Sequence, residues 1–295
     1  MSKSDAMNTI KKIARLFPIF CLGFCFISCN SEKTKKVTPG QVDTGIAKKA
    51  THATRETARP VHWSYSGEDG PEHWGSLSPV YAACGQGHSQ SPVDLGASVT
   101  DGKISMELDY KTTSLMIAHH ELVDDIIDNG HTIQITAQPG SSLKLGDKVY
   151  QLKQFHFHTP SEHTLDGKHL PMEMHMVHQS DDSRLAVVGV LIEEGAANKN
   201  IAKIIPYLPN TPGESNHLAD VHIELNFQIP ANREAYHYSG SLTTPPCSEN
   251  VEWLVLKEKL KFSAEQIKAF SSRMHNNGRP VQPLYDRKIV VDKLK

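Results

Sequence analysis

The sequence predicts a mainly β domain with a few short helices at its periphery. Three features carry that expectation. Apolar residues come in short runs closed by Gly, Pro, Asp or Asn, not in long amphipathic stretches. One run, Leu185-Ala-Val-Val-Gly-Val-Leu-Ile192, is almost unbroken, as a strand buried on both faces would be. Only two segments carry helical signals.

In chain order the strand candidates are Met106 to Tyr110, Thr132 to Ala137, Lys153 to His158, Met172 to His178, Leu185 to Ile192 and Val251 to Leu256. Asn200 to Leu208 reads as a short helix. Ser263 to Met274 reads as a better one. Ser263 and Gln266 have capping-box spacing, and Ile267, Phe270 and Met274 mark one face. Asp166-Gly167 is a strong turn signal between two strand candidates. The segment Leu242-Thr-Thr-Pro-Pro-Cys247 must be a loop, because two prolines cannot sit inside a sheet ladder.

The chain divides into three parts: a leader over 1–29, a polar tether over 30–60 and one domain over 61–295. Lys3, Lys11, Lys12 and Arg15 precede an uncharged, mostly apolar run from Leu16 to Ser28. That pattern is an export signal, too short to span a bilayer comfortably. The run ends Phe26-Ile27-Ser28-Cys29, which resembles a bacterial lipobox and predicts lipidation at Cys29, with tethering of an exported, periplasmic protein to a membrane. Residues 30–60 hold no aromatic residue and no apolar periodicity. Cys21 and Cys25 leave with the leader, so Cys84 and Cys247 remain as an even pair, which suggests one disulfide.

Charge narrows the function. Residues 1–29 carry a net +3 and 30–60 a net +4, so a chain of net −2 leaves about −9 on the domain. Phosphate-backbone binding needs clustered Lys and Arg, so a nucleic-acid partner is excluded. No apolar run of 18 or more residues exists, which excludes a polytopic membrane protein.

The densest chemistry is Gln154-Phe-His156-Phe-His158-Thr-Pro-Ser-Glu162-His163, followed by Met172-Glu173-Met-His175-Met-Val177-His178. Residues i and i+2 of a strand share a face. His156 and His158 therefore project together, and an antiparallel partner strand brings His175 beside them with Glu173 and Val177. Three neutral imidazoles on one face make a zinc site with a fourth position open to water. A cupin barrel is the metal-binding rival, since His156-x-His158-x-x-x-Glu162 fits its first motif. Its second motif wants Pro-x-Gly ahead of the next His, and His175 follows Leu-Pro-Met-Glu-Met.

Together with Tyr236-His-Tyr238-Ser-Gly-Ser-Leu242-Thr243-Thr244-Pro-Pro-Cys247, these runs resemble the α-class carbonic anhydrases. The resemblance extends from His62-Trp63-Ser-Tyr65 to Gly278-Arg279-Pro-Val-Gln-Pro283. It includes Gln90-Ser91-Pro92-Val93-Asp94 and Asn129-Gly130-His131, in family order. The short Thr-Pro-Ser link between His158 and Glu162 looks like the bacterial branch.

The resemblance implies a central, twisted, mostly antiparallel sheet of about ten strands and a lyase that hydrates carbon dioxide reversibly to bicarbonate. It implies a Zn2+ cofactor on His156, His158 and His175. Gln154 matches the acceptor for His156, and Glu173 the carboxylate on His175. Thr243 matches the hydroxyl that orients the attacking hydroxide and donates to Glu162. His131 matches the proton shuttle, with Tyr65, Asn129 and Gln134 along an ordered-water path and His119 and His120 as rivals. Val177, Val187, Leu242, Thr244 and Trp253 match the carbon dioxide pocket. Cys84 and Cys247 match the disulfide of exported members. A homodimer is left open. An adhesion or binding module on the same fold is the rival class, and the complete ligand set with Thr243 and Glu162 argues against it.

Overall fold

The computed structural model describes residues 61–96, 99–101, 106–109, 112–115, 126–216, 221–225 and 234–293. The leader, the tether, Cys29, His119 and His120 lie outside the described residues. Among the described residues no helix is long and apolar enough to cross a membrane.

Sixteen strands are present among the described residues. The early ones are short: β1 Val99–Asp101, β2 Met106–Asp109, β3 Thr112–Leu115, β4 Ile126–Asp128, β5 Ile133–Thr136 and β6 Ser142–Leu145. The long ones follow: β7 Lys148–His158, β10 Met172–Ser180, β11 Leu185–Glu194, β14 Glu234–Ser241 and β15 Glu249–Phe262. The remainder are β8 Thr164–Leu165, β9 Lys168–His169, β12 Ser215–Asn216, β13 Val221–Glu224 and β16 Ile289–Lys293. Helices are few and short, as expected: α1 Trp74–Leu77, α2 Ala83–Gln86, α3 Lys199–Ile204 and α4 Ala264–Met274.

One sheet dominates. Ten strands run in the order β1-β16-β14-β15-β11-β10-β7-β5-β4-β12, and β6 extends it by pairing with β7 and β2. Only β1/β16 and β11/β15 are parallel; the other pairs in this sheet are antiparallel. The near-continuous apolar run becomes β11, fully buried from Ala186 to Ile192 between β10 and β15. Its alternate residues pack into apolar clusters on opposite faces of the sheet, so neither face meets solvent and its side chains need not alternate in polarity.

Most strands are longer than the sequence runs that signal them. β7 begins at Lys148, after which exposed Val149, Gln151 and Lys153 alternate with buried Tyr150 and Leu152. Asp166 and Gly167 both take positive φ, 52° and 74°, as a two-residue hairpin turn of type I′ demands. That turn closes the small β8–β9 ribbon, however, and β7 pairs with β10 around it. The α4 capping box is complete: Ser263 Oγ accepts from Gln266 N, and the Gln266 side chain accepts from Ser263 N.

The sheet divides the core. Its back face packs Phe155, Phe157, Met174, Met176, Val188, Leu254, Phe262 and Phe270. Its front face carries a second cluster with Val187, Leu191, Tyr238, Val251, Trp253 and Val255. The sequence-expected disulfide joins Cys84 to Cys247, 163 residues apart, with Trp74 and Tyr81 packed around it. Closing so long a loop is worth roughly 5 kcal/mol on the chain-entropy account.

Candidate active site

Strand register builds the site. His175 of β10 stands opposite His156 of β7, Glu173 opposite His158, and Val177 opposite Gln154. On the far side of β10, His175 faces Gly189 of β11 and Val177 faces Val187. A Cβ on Gly189 would come within 3.1 Å of both Glu173 Oε1 and a Val255 methyl, so glycine keeps room for the carboxylate. Val187 in turn faces Trp253 of β15. An apolar row thus runs beside the histidine row, with Val177 and Leu242 packed against the same front cluster.

Two of the three imidazoles have one nitrogen held by a hydrogen bond, and the third sets one against a carboxylate. His156 Nδ1 lies 2.8 Å from Gln154 Oε1. His158 Nδ1 donates to the main-chain carbonyl of Asn277 at 2.8 Å. His175 Nε2 is 2.9 Å from Glu173 Oε1. A carbonyl can only accept, so these contacts place the ring protons outward and leave lone pairs on His156 Nε2, His158 Nε2 and His175 Nδ1. One ligand nitrogen from each ring falls within 4.8 Å of the others. His158 Nε2 is buried and makes no hydrogen bond, and His175 Nε2, for all its closeness to Glu173, makes none of good geometry. A buried, unpaired acceptor is costly, and a metal ion is what three such nitrogens fit.

The surrounding carboxylates are fully buried. Glu173 accepts from Glu162 N at 2.9 Å, from His163 N at 2.8 Å and from His163 Nδ1 at 2.7 Å, besides His175. Burial alone would raise its pKa, but His163 and His175 hold it well below the usual carboxylate range. Glu162 is pushed up to about 7 by burial, against the opposing pull of His175, the Arg279 N–H and the Thr243 side chain. Its Oε1 accepts from Arg279 N at 2.8 Å, and its Oε2 lies 3.6 Å from His158 Nε2 and 3.8 Å from His175 Nδ1. Burial likewise lowers His158 to about 4, and lowers His156 and His175, so all three rings are neutral near pH 7.

A cleft of about 140 Å³ opens over the histidines, lined by Trp63, Tyr65, Asn129, His131, Thr132, Gln134, Gln154, His156, His158 and Thr244. His131, Tyr65, Asn129 and Gln134, expected on the proton path, therefore meet two ligand candidates in one cavity. Asn129 Oδ1 accepts from the N–H groups of His131 and Thr132, which fixes the turn that carries His131. The His131 ring stacks on Trp63 at 3.7 Å between centroids and 8° between planes. Burial, followed by His62, lowers its pKa, with Asp128 opposing.

Four contributors escape sequence reasoning. Asn277 holds His158 through its carbonyl, and its side-chain amide bonds to the carbonyls of His131 and Phe157. His163 links Glu173 to the Tyr238 hydroxyl, 2.6 Å from its Nε2. Trp63 stacks on His131, and Arg279 reaches Glu162. The available signals were a histidine directly after Glu162, the His62-Trp63-Ser-Tyr65 block and the Gly278-Arg279 block, none of which gave these residues their roles.

A mainly β fold whose central sheet presents three converging imidazoles beside an apolar row, with Glu162 and Thr243 on the adjoining loops, defines a candidate metal site. Residues 69–293 match the family model described as eukaryotic-type carbonic anhydrase. A carbonic anhydrase of Nostoc sp. is 42% identical over 234 residues, covering 79% of this chain and 87% of that protein. A hyperthermostable carbonic anhydrase from an active hydrothermal vent chimney superposes with a TM-score of 0.71 at 42% identity, covering 78% of this chain and 99% of that one. The Thermovibrio ammonificans α-carbonic anhydrase, solved with the inhibitor sulfanilamide, gives 0.69 at 40% identity, covering 80% and 100%. The chain belongs to the eukaryotic-type carbonic anhydrase family, and its enzyme class is carbonate dehydratase.

Proposed function

We propose that the chain hydrates carbon dioxide reversibly at a zinc ion held by His156, His158 and His175, with Thr243 and Glu162 aiming the nucleophile and His131 exporting the proton. The observation that carries this reading is the convergence of one nitrogen from each of His156, His158 and His175 to within 4.8 Å of one another, with the other ring nitrogens of His156 and His158 held by hydrogen bonds and that of His175 set against Glu173. Zinc on three neutral imidazoles supplies a water of pKa near 7, a general property of carbonic anhydrases and not a result of this structure.

The remaining work falls to the chain. Gln154, Asn277 and Glu173 fix the ring tautomers and orientations. A threonine hydroxyl has one hydrogen to give. With that hydrogen directed to Glu162, the Thr243 oxygen is an acceptor, so the nucleophilic oxygen turns its own lone pair toward carbon dioxide. Carbon dioxide is apolar and neutral, and Val177, Val187, Leu242 and Trp253 offer an apolar wall with Thr244 at the cleft. His131, whose ordinary pKa already leaves it mostly neutral at pH 7 and whose burial lowers it further, accepts a proton relayed by water past Tyr65, Asn129 and Gln134.

Export and lipidation at Cys29 complete the proposal, supported by the basic start, the apolar run and Ile27-Ser28-Cys29. The expressed full chain should carry one zinc per molecule and hydrate carbon dioxide, and both should vanish together after chelation. Intact mass of membrane-extracted protein should show an acyl adduct on a chain beginning at Cys29; a soluble mature chain with another start overturns the anchor.

A further inference from the structure

We propose that Gln90 and Arg279 are positioning residues that close a ring with the Cys84–Cys247 disulfide, and that this ring holds Thr243 and Glu162 in mutual register. The inference rests on the reading of Thr243 and Glu162 given above.

The ring can be walked bond by bond. Arg279 Nη1 donates to Gln90 Oε1 at 2.9 Å. Gln90 Nε2 donates to the Cys247 carbonyl at 3.1 Å. The disulfide joins Cys247 to Cys84. The Cys84 carbonyl accepts from Arg279 Nη2 at 2.8 Å, which returns the path to its start. Gln90 and Arg279 are each only 2% exposed.

Each partner of the catalytic pair hangs from this ring. The main-chain N–H of Arg279 donates to Glu162 Oε1 at 2.8 Å. On the other side, Cys247 N donates to the Thr244 carbonyl at 2.8 Å, and Leu242 N donates to Ser248 O at 3.0 Å. The turn bearing Thr243 is thereby bound to Cys247. Glu162 and Thr243 lie 81 positions apart in the chain, and the ring is one path that ties the Glu162 carboxylate to the turn carrying Thr243, beside a second through Ser91 and Ser241.

The choice of residue types fits that task and is expensive otherwise. A buried guanidinium is costly, and among the described residues Arg279 has no ion-pair partner. Its charge is met by the carbonyls of Ser91 and Cys84, by the Gln90 amide oxygen and by the Trp74 ring. An apolar side chain would fill the volume at less cost, but it could not join three acceptors in a fixed fork. Gln90 is likewise the only link in the ring that both accepts and donates through its side chain, and it also donates to Glu249 at 3.0 Å.

A double-mutant cycle tests the proposal. Thr243→Ala alone reports on the catalytic pair. Gln90→Leu, in the otherwise intact chain, should lower kcat/KM by about tenfold, with one zinc retained and with the response of kcat to added imidazole buffer unchanged. In the Thr243→Ala background, Gln90→Leu should cost almost nothing further, because the ring acts through Thr243. Arg279→Lys keeps a cation and the backbone N–H but loses the fork, so it should follow the same pattern, and it replaces Gln90→Leu where that variant does not load zinc fully.

Equal losses from Gln90→Leu in both backgrounds would show a general structural role and overturn the proposal. So would an unchanged kcat/KM in the single variants, or failure of both variants to hold zinc. An unchanged kcat/KM in Thr243→Ala would instead overturn the underlying reading of the catalytic pair.

Discussion

The back face of strands β7 and β10 is buried at Phe155, Phe157, Met174 and Met176, the front face is half-open at Gln154, His156 and Val177, and the two are chemically opposite. On the back, Phe155, Phe157, Met174 and Met176 are 0% exposed and pack in the main apolar cluster. On the front, Glu173, His158 and His175 are 0–1% exposed and bring charge and hydrogen bonds into the same depth. The back face is held by contact area and tolerates changes of shape. The front face is held by an accounting of polar atoms, in which nearly every donor and acceptor has a named partner. Its exceptions, such as His158 Nε2 and Glu162 Oε2, are where function is to be sought.

The largest expected effect breaks the front face. His158→Ala removes one of three converging nitrogens, so zinc content should fall from one per chain to near zero and hydration should drop to background. Phe157→Leu, its neighbour on the back, should keep zinc and activity while costing roughly 1–2 kcal/mol in urea unfolding. Comparable zinc loss in both variants would erase the distinction between the faces.

Next in size is Thr243→Ala. All three imidazoles and the apolar row stay in place, but the nucleophile loses its acceptor and its aim. Loss of one positioned hydrogen bond in an enclosed site should lower kcat/KM by about 100-fold. Added imidazole should not restore it, since the defect precedes proton export.

His131→Ala should be milder and confined to one parameter. It should lower kcat by about tenfold in dilute buffer, below the upper range for a positioned proton-transfer group, and leave kcat/KM unchanged. Imidazole in solution should restore most of the loss. Unchanged kcat in dilute, non-imidazole buffer would move the proton to another group or to water alone.

The front face was legible in the sequence because the period of a strand is two and its residues are chemically conspicuous. His156-x-His158 and Glu173-x-His175-x-Val177 declare a shared side without any structure, and the observed register matches. The unbroken apolar run marked β11 equally well. What stayed hidden acts through the main chain or across long sequence distances. Asn277 holds His158 through a carbonyl that any residue could supply, 119 positions away. Arg279 reaches Cys84 from 195 positions away. The first half of β7 was missed because its alternation of exposed and buried residues lacks a strong apolar signal. The Asp166-Gly167 turn was read correctly as a turn, but the ribbon it closes is too short to be seen before the long strands are placed.

The smallest expected effect leaves activity at neutral pH untouched and concerns the one titratable side chain on the back face of β10. His178 follows Met174 and Met176 on that side, is 0% exposed, and has its pKa lowered to about 4 by burial, partly offset by backbone contacts with Ala186 and Met176. An unfolded histidine titrates near 6.5. Between pH 6.5 and 4 the unfolded chain therefore binds the proton that the folded chain refuses, so stability falls as pH falls. The contribution is fully present above pH 6.5 and exhausted below about 4, and a shift of that size amounts to about 3 kcal/mol. His178→Leu should remove this part of the slope, so that its unfolding free energy changes less than that of the parent chain across this window. Urea titrations of both proteins at pH 7, 6, 5 and 4 measure the difference. Parallel curves would mean that His178 takes up its proton without leaving the fold, and that the back face is less dry than its neighbours Met176 and Ala186 imply.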